Sequence, residues 1–537
     1  MRLLQLLTLV YLVVMTAGCG SGGGSSIPYI INTAPTLADY TGSVNENAAA
    51  GSAVGNITIV SNGGSEVTSI TLSGNGASDF SVSADGTISL ADGVTLNYQN
   101  RGTYNLQAQA TNSAGFVSEP SVVYISVHVT AALNIPLLII AISFDDYPIK
   151  DSEENWHDKI FGVSNHQVNH YFQEMSHGKF ALIPANETSG TVNDGVIKVS
   201  LRINHPGDAG MNNIDLADAI NIADTFIDFS VYDTNANSNI EKNELQIMYI
   251  VGGGETSYGD SPLSSIWAYS WGMSSAFPDS QSPPILDGVK LMDFFADGTY
   301  SRFGEKHDDH FATIGIIAHE LTHAIWSLPD LYDVDNSSAG IGYFGLMGGG
   351  SWGEKAGEEP GNTPTHMCAW SKLQQGWITP STVNVSTNNI QMNASHMTNF
   401  NIVKVPTDDP LEYFLVENRS ASGYDAGLYV LDMATFFGGI AIWHIDEGQR
   451  TLNNQDNADE THKLVDLEEA NNAGMDFGIH SGTRTNLFYL GNSTLFDNSS
   501  SPDSKKYDGS ATNISVNNIS TQGTIVNEYL MYMDIEK

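Results

Sequence analysis

The chain has 537 residues, room for two to four domains, and its 41% hydrophobic content allows a sizeable core. With 61 acidic against 21 basic residues it carries a formal charge of −40, which repels phosphate backbones, excludes nucleic acid as a partner and favours divalent cations. Of its two cysteines, Cys19 falls in a targeting segment, so no disulfide framework is expected, and Cys368 reads as a small buried hydrophobe.

At the N-terminus, Arg2 precedes an apolar run from Leu3 to Met15, shorter than the roughly 20 residues of a membrane span. With Thr16-Ala17-Gly18-Cys19 behind it, the segment 1–19 resembles a bacterial lipoprotein signal. That resemblance implies export with lipidation of Cys19; plain cleavage and secretion is the other outcome. Residues 20–32 begin with a Gly/Ser run and read as a flexible tether. Residues 33–130 alternate apolar and polar in short runs such as "GTYNLQAQAT" and "SVVYISVHV", separated by Gly, Asn, Ser and Asp turns, which predicts a β-sandwich. The succession "VNENAAAGSAVGNI", "DFSVSADGTISL", "LNYQNRGTYNLQAQATNSAG" resembles a cadherin repeat. Glu46 and Asn47 match that family's calcium positions, but Asn97 and Gln99 stand where it has acids, so the module reads as a spacer or adhesion unit.

A second kind of domain begins with "LNIPLLIIAISFDDYP" (133–148), whose continuous apolar run suits a central strand buried on both faces. Helices are expected over 165–176 and 216–229, and a strand over 244–254. In "DDHFATIGIIAHELTHAIWSL" (308–328), Ile314, Ile317, Leu321 and Ile325 form one apolar stripe of a helix, with Asp308 or Asp309 as its cap. His319 and His323, one turn apart, share another face and can hold one zinc ion, and Glu320 beside them can take a proton from an activated water. Two third ligands stay open. Pro329 ends the helix, so the carboxylate of Asp330 can swing back. Glu417 lies in an apolar strand and needs a partner, which is zinc, Arg419 or a helix end. Asp333 and His444 are further candidates. Residues 233–244 fit a 12-residue EF-hand loop: Asp233, Asn235, Asn237, Asn239 and Glu244 are calcium candidates, with Ser238 in place of the usual glycine. The stretch "DLYDVDNSS" (330–338) is another possible cation loop.

Six further pieces follow in order: "HYFQEMSHGKF" (170–180), "HELTHAIWSLPDLYD" (319–333), "YFGLMGGGSW" (343–352), "AWSKLQQGW" (369–377), "EYFLVENR" (412–419) and "GGIAIWHID" (438–446). From about residue 136 onward the chain resembles the immune-inhibitor-A family of secreted bacterial zinc metallopeptidases. The resemblance implies an α+β, metzincin-like catalytic domain over 133–380, a β-rich part over 381–537, a methionine turn at Met347, and protein substrates outside the cell. That family usually places a Gly three residues after the second His and an Asp six after it. Here Trp326 and, one position late, Asp330 stand there. The expectation is an exported zinc endopeptidase, at the cell surface or outer membrane through a lipid anchor, or secreted. Glu320 is its general base, and Tyr332 or Tyr343 is its oxyanion donor. The alternative is a surface adhesion protein whose peptidase-like domain is inactive.

Overall fold

The computed structural model describes residues 32–537 apart from 47, 97–102, 129–132, 209–210, 260–263, 275–281, 432–436, 451–454, 472–473, 479–480 and 524–528. Cys19, the signal segment, nearly all of the tether, Asn47, Asn97 and Gln99 lie outside the described residues. No helix among the described residues is long and apolar enough to cross a membrane.

The N-terminal module is a β-sandwich. Its four-stranded sheet runs Tyr40–Asn45, Ser121–His128, Thr103–Asn112, Val67–Ser73, and a three-stranded sheet (Ala53–Asn56, Thr87–Leu90, Phe80–Val82) lies opposite. Period-2 alternation puts Leu106, Ala108, Ala110, Val123, Ile125 and Val127 into the shared core. The module rests on the next domain: the Tyr124 hydroxyl donates to Gln374 Oε1 at 3.0 Å, and Trp326 packs against the sandwich core.

The second domain is built on a mixed sheet. Its strands and helices in chain order are β1 (Leu133–Ser143), α1 (Glu153–Phe161), α2 (Val168–Ser176), β2 (Phe180–Pro184), β3 (Val196–Ser200), α3 (Asn213–Ala223), β4 (Gln246–Glu255), β5 (Tyr269–Trp271), β6 (Tyr300–His307), α4 (Ile314–Trp326) and α5 (Ala369–Gln374). The sheet order is β2-β1-β4-β6-β5; β3 pairs with the second half of β1, and the edge strand β5 and a two-residue strand, His310–Phe311, run antiparallel to β6 while the other pairs are parallel. β1 reads as one apolar run because both its faces are covered. Leu137, Ile139 and Ala141 face the core that holds α1, α2 and α4, while Leu138, Ile140 and Ile142 face the core that holds α3. The region mixes helices and strands as expected, but helices on both faces of a mostly parallel sheet make it an α/β layering where α+β was expected.

α4 carries the predicted stripe: Ile314, Ile317, Leu321 and Ile325 are all buried in the larger core. Its start differs from the sequence reading. Thr313 is the N-cap, and Asp308 and Asp309 form the turn between β6 and a two-residue strand, His310–Phe311, with Asp308 left-handed at φ 54. The buried His307 explains this: its Nδ1 lies 3.0 Å from the Thr313 hydroxyl, which requires a hairpin where a longer helix was expected. The other helix expected over 216–229 is shorter, α3 ending at Ala223 before a tighter turn, Asp224–Phe226.

Beyond α5 lies a five-stranded sheet of Ser381–Thr382, β7 (Val403–Pro406), β8 (Glu412–Arg419), β9 (Gly439–Asp446) and β10 (Val465–Leu467), then a three-stranded sheet of Thr387–Met392, Met531–Glu536 and Ser515–Asn517. The core around α4 includes Tyr413, Leu415, Trp443, Leu464 and Leu487, so hydrophobic packing runs straight across residue 380.

Candidate metal centre

α4 ends one turn after His323. Ser327 takes the left-handed conformation, φ +53, and its N–H bonds to the His323 carbonyl at 2.9 Å. A glycine would take that conformation freely; for serine it costs about 1–2 kcal/mol. The chain is thus turned by Ser327 ahead of Pro329, and the extra residue between His323 and Asp330 is absorbed in the turn.

The result is a convergence of three donor atoms. Asp330 Oδ1 lies 2.9 Å from His319 Nε2 and 3.1 Å from His323 Nε2, and the two Nε2 atoms are 3.1 Å apart. Ligands at zinc distances in a tetrahedron stand about 3.3 Å from one another, so the triangle is the right size. Each imidazole donates its other nitrogen to a carbonyl: His319 Nδ1 to Leu346 at 2.9 Å and His323 Nδ1 to Leu328 at 2.5 Å. Those bonds orient the rings so that both Nε2 atoms face each other and a carboxylate, an arrangement that a cation resolves. His319 and Asp330 are buried. Burial opposes ionisation of Asp330, yet the neighbouring imidazoles hold its carboxyl well below the usual range. Burial pulls His323 down, and the Asp330 and Glu320 carboxylates outweigh it and lift it to about 9. Among the described residues, His319, His323 and Asp330 are the one group of three whose ligand atoms meet closely enough for a metal ion.

Glu320 sits beside this triangle in a cleft of about 610 Å³ that is also lined by Trp267, Tyr332, Asp333 and Trp352. Its carboxyl is raised, chiefly by burial, although the two imidazoles pull the other way, and it accepts a hydrogen bond from the Ser270 backbone N–H. Ser270 belongs to the edge strand β5, so Glu320 is tied to the edge of the sheet.

The remaining sequence candidates fall elsewhere. Glu417 is not in the metal group. Its Oε1 accepts from Trp443 Nε1 at 2.9 Å and from the Ala369 N–H at the start of α5 at 3.2 Å, and lies 3.5 Å from Arg419 Nη1. Of the partners the sequence left open, a helix end and Arg419 are the ones it meets. His444 is held between Glu412 and Glu468 at 2.9 and 3.1 Å, and Asp333 accepts the N–H groups of Asp335 and Ser338. Tyr332 lines the cleft and hydrogen-bonds Asp330, whereas Tyr343 is not among the cleft's lining residues. Met347 is buried, and its carbonyl accepts the Leu331 N–H at 2.8 Å, tying the methionine turn to the residue after Asp330. The groups missed at the sequence level are main-chain ones, the Leu328 and Leu346 carbonyls and the Ser270 amide, which leave no mark in side-chain identity.

In the 233–244 loop, Asp233 accepts the Asn237 and Ser238 N–H groups at 2.9 Å each, and Ser238 fills the glycine position at φ +64. Glu244 is turned onto the loop's own backbone, accepting from Thr234 N at 2.8 Å and Glu241 N at 3.1 Å. Asn235 Oδ1 and Asn237 Oδ1 cap the amides of Asn237 and Asn239.

Residues 184–378 match the model of the immune inhibitor A peptidase M6 catalytic domain. The peptidase M6 match holds the HExxH helix, Asp330 and Met347, and ends before the strand with Glu417 and Arg419. Over those residues the chain is thus similar to a peptidase catalytic domain. No curated protein matches the chain. Among solved structures, it is similar to Drosophila N-cadherin EC1-3, at 23% identity over 18% of this chain and 35% of that one with a TM-score of 0.17. It is also similar to mouse cadherin-23 EC22-24, at 19% identity over 22% and 40% with a TM-score of 0.17. A third is human protocadherin-24 EC1-2, at 17% identity over 22% and 56% with a TM-score of 0.17. The chain spans less than two thirds of each of these. The sandwich itself stands on the strand pairing described above.

Proposed function

We propose that this chain is an exported zinc endopeptidase of metzincin-like arrangement that cleaves proteins outside the cell, anchored through Cys19 or released. The observation that carries the reading is the meeting of His319 Nε2, His323 Nε2 and Asp330 Oδ1 beside Glu320 at the floor of a cleft. Zinc, when bound, supplies a Lewis acid that brings the pKa of water to about 7 and polarises a carbonyl. The rest is done by the chain. Glu320, raised by burial, takes the proton of the attacking water and returns it to the leaving amine. β5 is the edge strand beside Glu320, along which an extended peptide can pair, with Ser270 setting its distance from Glu320. The hydroxyl of Tyr332 is within reach of the same triangle and is the better-placed oxyanion donor of the two tyrosines. Among the described residues lining the cleft, the acidic side chains are Glu320 and Asp333 and no lysine or arginine joins them, so neutral and basic peptides are favoured over acidic ones.

Three results are expected together. The purified chain binds about one zinc per molecule, a chelator stops its cleavage of a neutral quenched peptide, and added zinc restores it. Asp330→Ala loses the metal, whereas Glu417→Gln keeps it. Equal zinc retention in Asp330→Ala and wild type sinks the ligand assignment, and zinc binding without any peptide cleavage sinks the enzyme reading.

A structural calcium ion at Asp233, Asn235, Asn237, Asn239 and Glu244 belongs to the same proposal. The neutral amides of Asn235 and Asn237 and the Ser238 substitution suit a weak, extracellular-type site in the range of about 0.1–1 mM. Calcium at 10 mM is then expected to raise the melting temperature by about 3–11 °C, and Glu244→Gln to abolish the rise. An equal rise in the variant rules the loop out.

A further inference from the structure

The third ligand reaches the metal group only because the chain reverses at Ser327, a non-glycine residue in a left-handed conformation on an exposed turn. Something outside the helix holds that turn. Lys242 Nζ donates to Ser327 Oγ at 2.8 Å and pairs with Asp297 Oδ1 at 3.0 Å. The lysine is itself fixed along its backbone: its N–H bonds to the Asp297 carbonyl at 2.9 Å, and its carbonyl accepts from the buried Gln246 amide at 2.6 Å. Two residues past Asp297, the Thr299 hydroxyl donates to the Ala324 carbonyl in the last turn of α4 at 3.0 Å. A cation and two hydroxyl bonds therefore converge on the helix C-terminus, where unsatisfied carbonyls and the negative end of the dipole favour positive charge. Downstream of the same turn, the Leu328 carbonyl accepts a hydrogen bond from His323 Nδ1 and Asp330 closes the triangle.

We propose that Lys242 is a positioning residue for the metal group: by gripping Ser327 it holds the left-handed turn that presents the Leu328 carbonyl to His323 and the Asp330 carboxylate to both histidines. The inference rests on the reading of His319, His323 and Asp330 as zinc ligands. It adds a partner from a loop more than 70 residues upstream that touches neither the metal group nor the cleft.

The test uses the full chain with Lys242→Met, Lys242→Arg, Ser327→Gly and the double variant, and with Lys290→Met as a nearby loss of equal charge. Lys290 pairs with Asp293 instead. Two readouts are taken: zinc affinity by chelator competition, and amide hydrogen exchange at Ser327 and Leu331 in the metal-free protein. Lys242→Met is expected to weaken zinc by about tenfold, the scale of a lost outer-shell partner, and to speed exchange at both amides. Lys242→Arg recovers most of the affinity. In the Ser327→Gly background, where the hydroxyl is gone and the turn is relaxed, Lys242→Met changes affinity less than twofold. The proposal is overturned if Lys242→Met matches wild type in both readouts, if Lys290→Met weakens zinc as much, or if the loss is undiminished in Ser327→Gly. If wild type binds no zinc here, the metal reading fails, and unchanged exchange at Ser327 and Leu331 in Lys242→Met still overturns the tie by itself.

Discussion

Glu320→Gln is expected to lower kcat for peptide cleavage by about 10²–10⁴ while leaving KM and zinc content near wild type. The amide keeps the size and shape of the carboxylate and can still accept the Ser270 N–H, so the tie to β5 survives. None of the three converging ligand atoms belongs to Glu320, so metal retention has no reason to change. What is lost is the carboxylate beside the triangle that takes and returns the proton. The fold should not suffer either. Burial and the nearby Asp330 carboxylate both oppose the charge on Glu320, and a neutral isostere removes that repulsion, so the melting temperature stays level or rises. Lower activity with equal or better stability is the pattern of a functional group and not of a packing group. A variant that cleaves at the wild-type rate, or one that loses its zinc, contradicts the assignment.

The elements that could be read ahead of the structure are those whose burial writes a period into the sequence. The stripe Ile314, Ile317, Leu321 and Ile325 placed α4, and with it the shared face of His319 and His323. The unbroken apolar run of β1 follows from cores on both faces. The start of α4 was not legible in this way. Two aspartates before an apolar run look like a cap, but the burial of His307 turns them into a hairpin, and Thr313 begins the helix instead. The turn after His323 was equally silent, because a serine in a left-handed conformation carries none of the signal that a glycine does. Asp330 and Glu417 could not be separated by pattern either. An acid in an apolar strand needs a partner, and whether that partner is a metal or an arginine depends on which chain segments meet, which spacing does not encode.

The segments that meet at Glu417 form a buried charged knot beneath the methionine turn, and breaking it is expected to have the largest effect on stability. Arg419 is fully buried. Its Nε donates to Asp425 Oδ2 at 2.7 Å, its Nη2 pairs with Asp425 Oδ1, and its Nη1 donates to the Phe344 carbonyl at 2.5 Å. Asp425 also accepts the Ser395 hydroxyl at 2.7 Å and the His366 N–H at 3.1 Å. Burial alone raises the Asp425 carboxyl, but the guanidinium and these donors outweigh it and hold it far below its usual range. Arg419→Met leaves Asp425 and Glu417 buried without their cation, a loss of about 3–5 kcal/mol that should lower the melting temperature by about 6–20 °C. It should also loosen zinc, because Phe344 lies two residues before Leu346, whose carbonyl orients His319. The pH dependence follows in sign. A carboxylate with a depressed folded pKa contributes stability above its unfolded value, 3.8, and loses that contribution as pH falls toward the folded value. The gap between wild type and Asp425→Asn is therefore full at neutral pH and closes only in acid. The triple variant Arg419→Met, Glu417→Gln, Asp425→Asn removes the charges together and is expected to melt above Arg419→Met alone, since the damage lies in the uncompensated carboxylates and not in the absence of an ion pair. Thermal melts of the three proteins at pH 7 decide it: a triple variant no more stable than Arg419→Met would mean that the arginine acts through packing, and an Arg419→Met that melts with wild type would mean that the knot does not hold the turn at all.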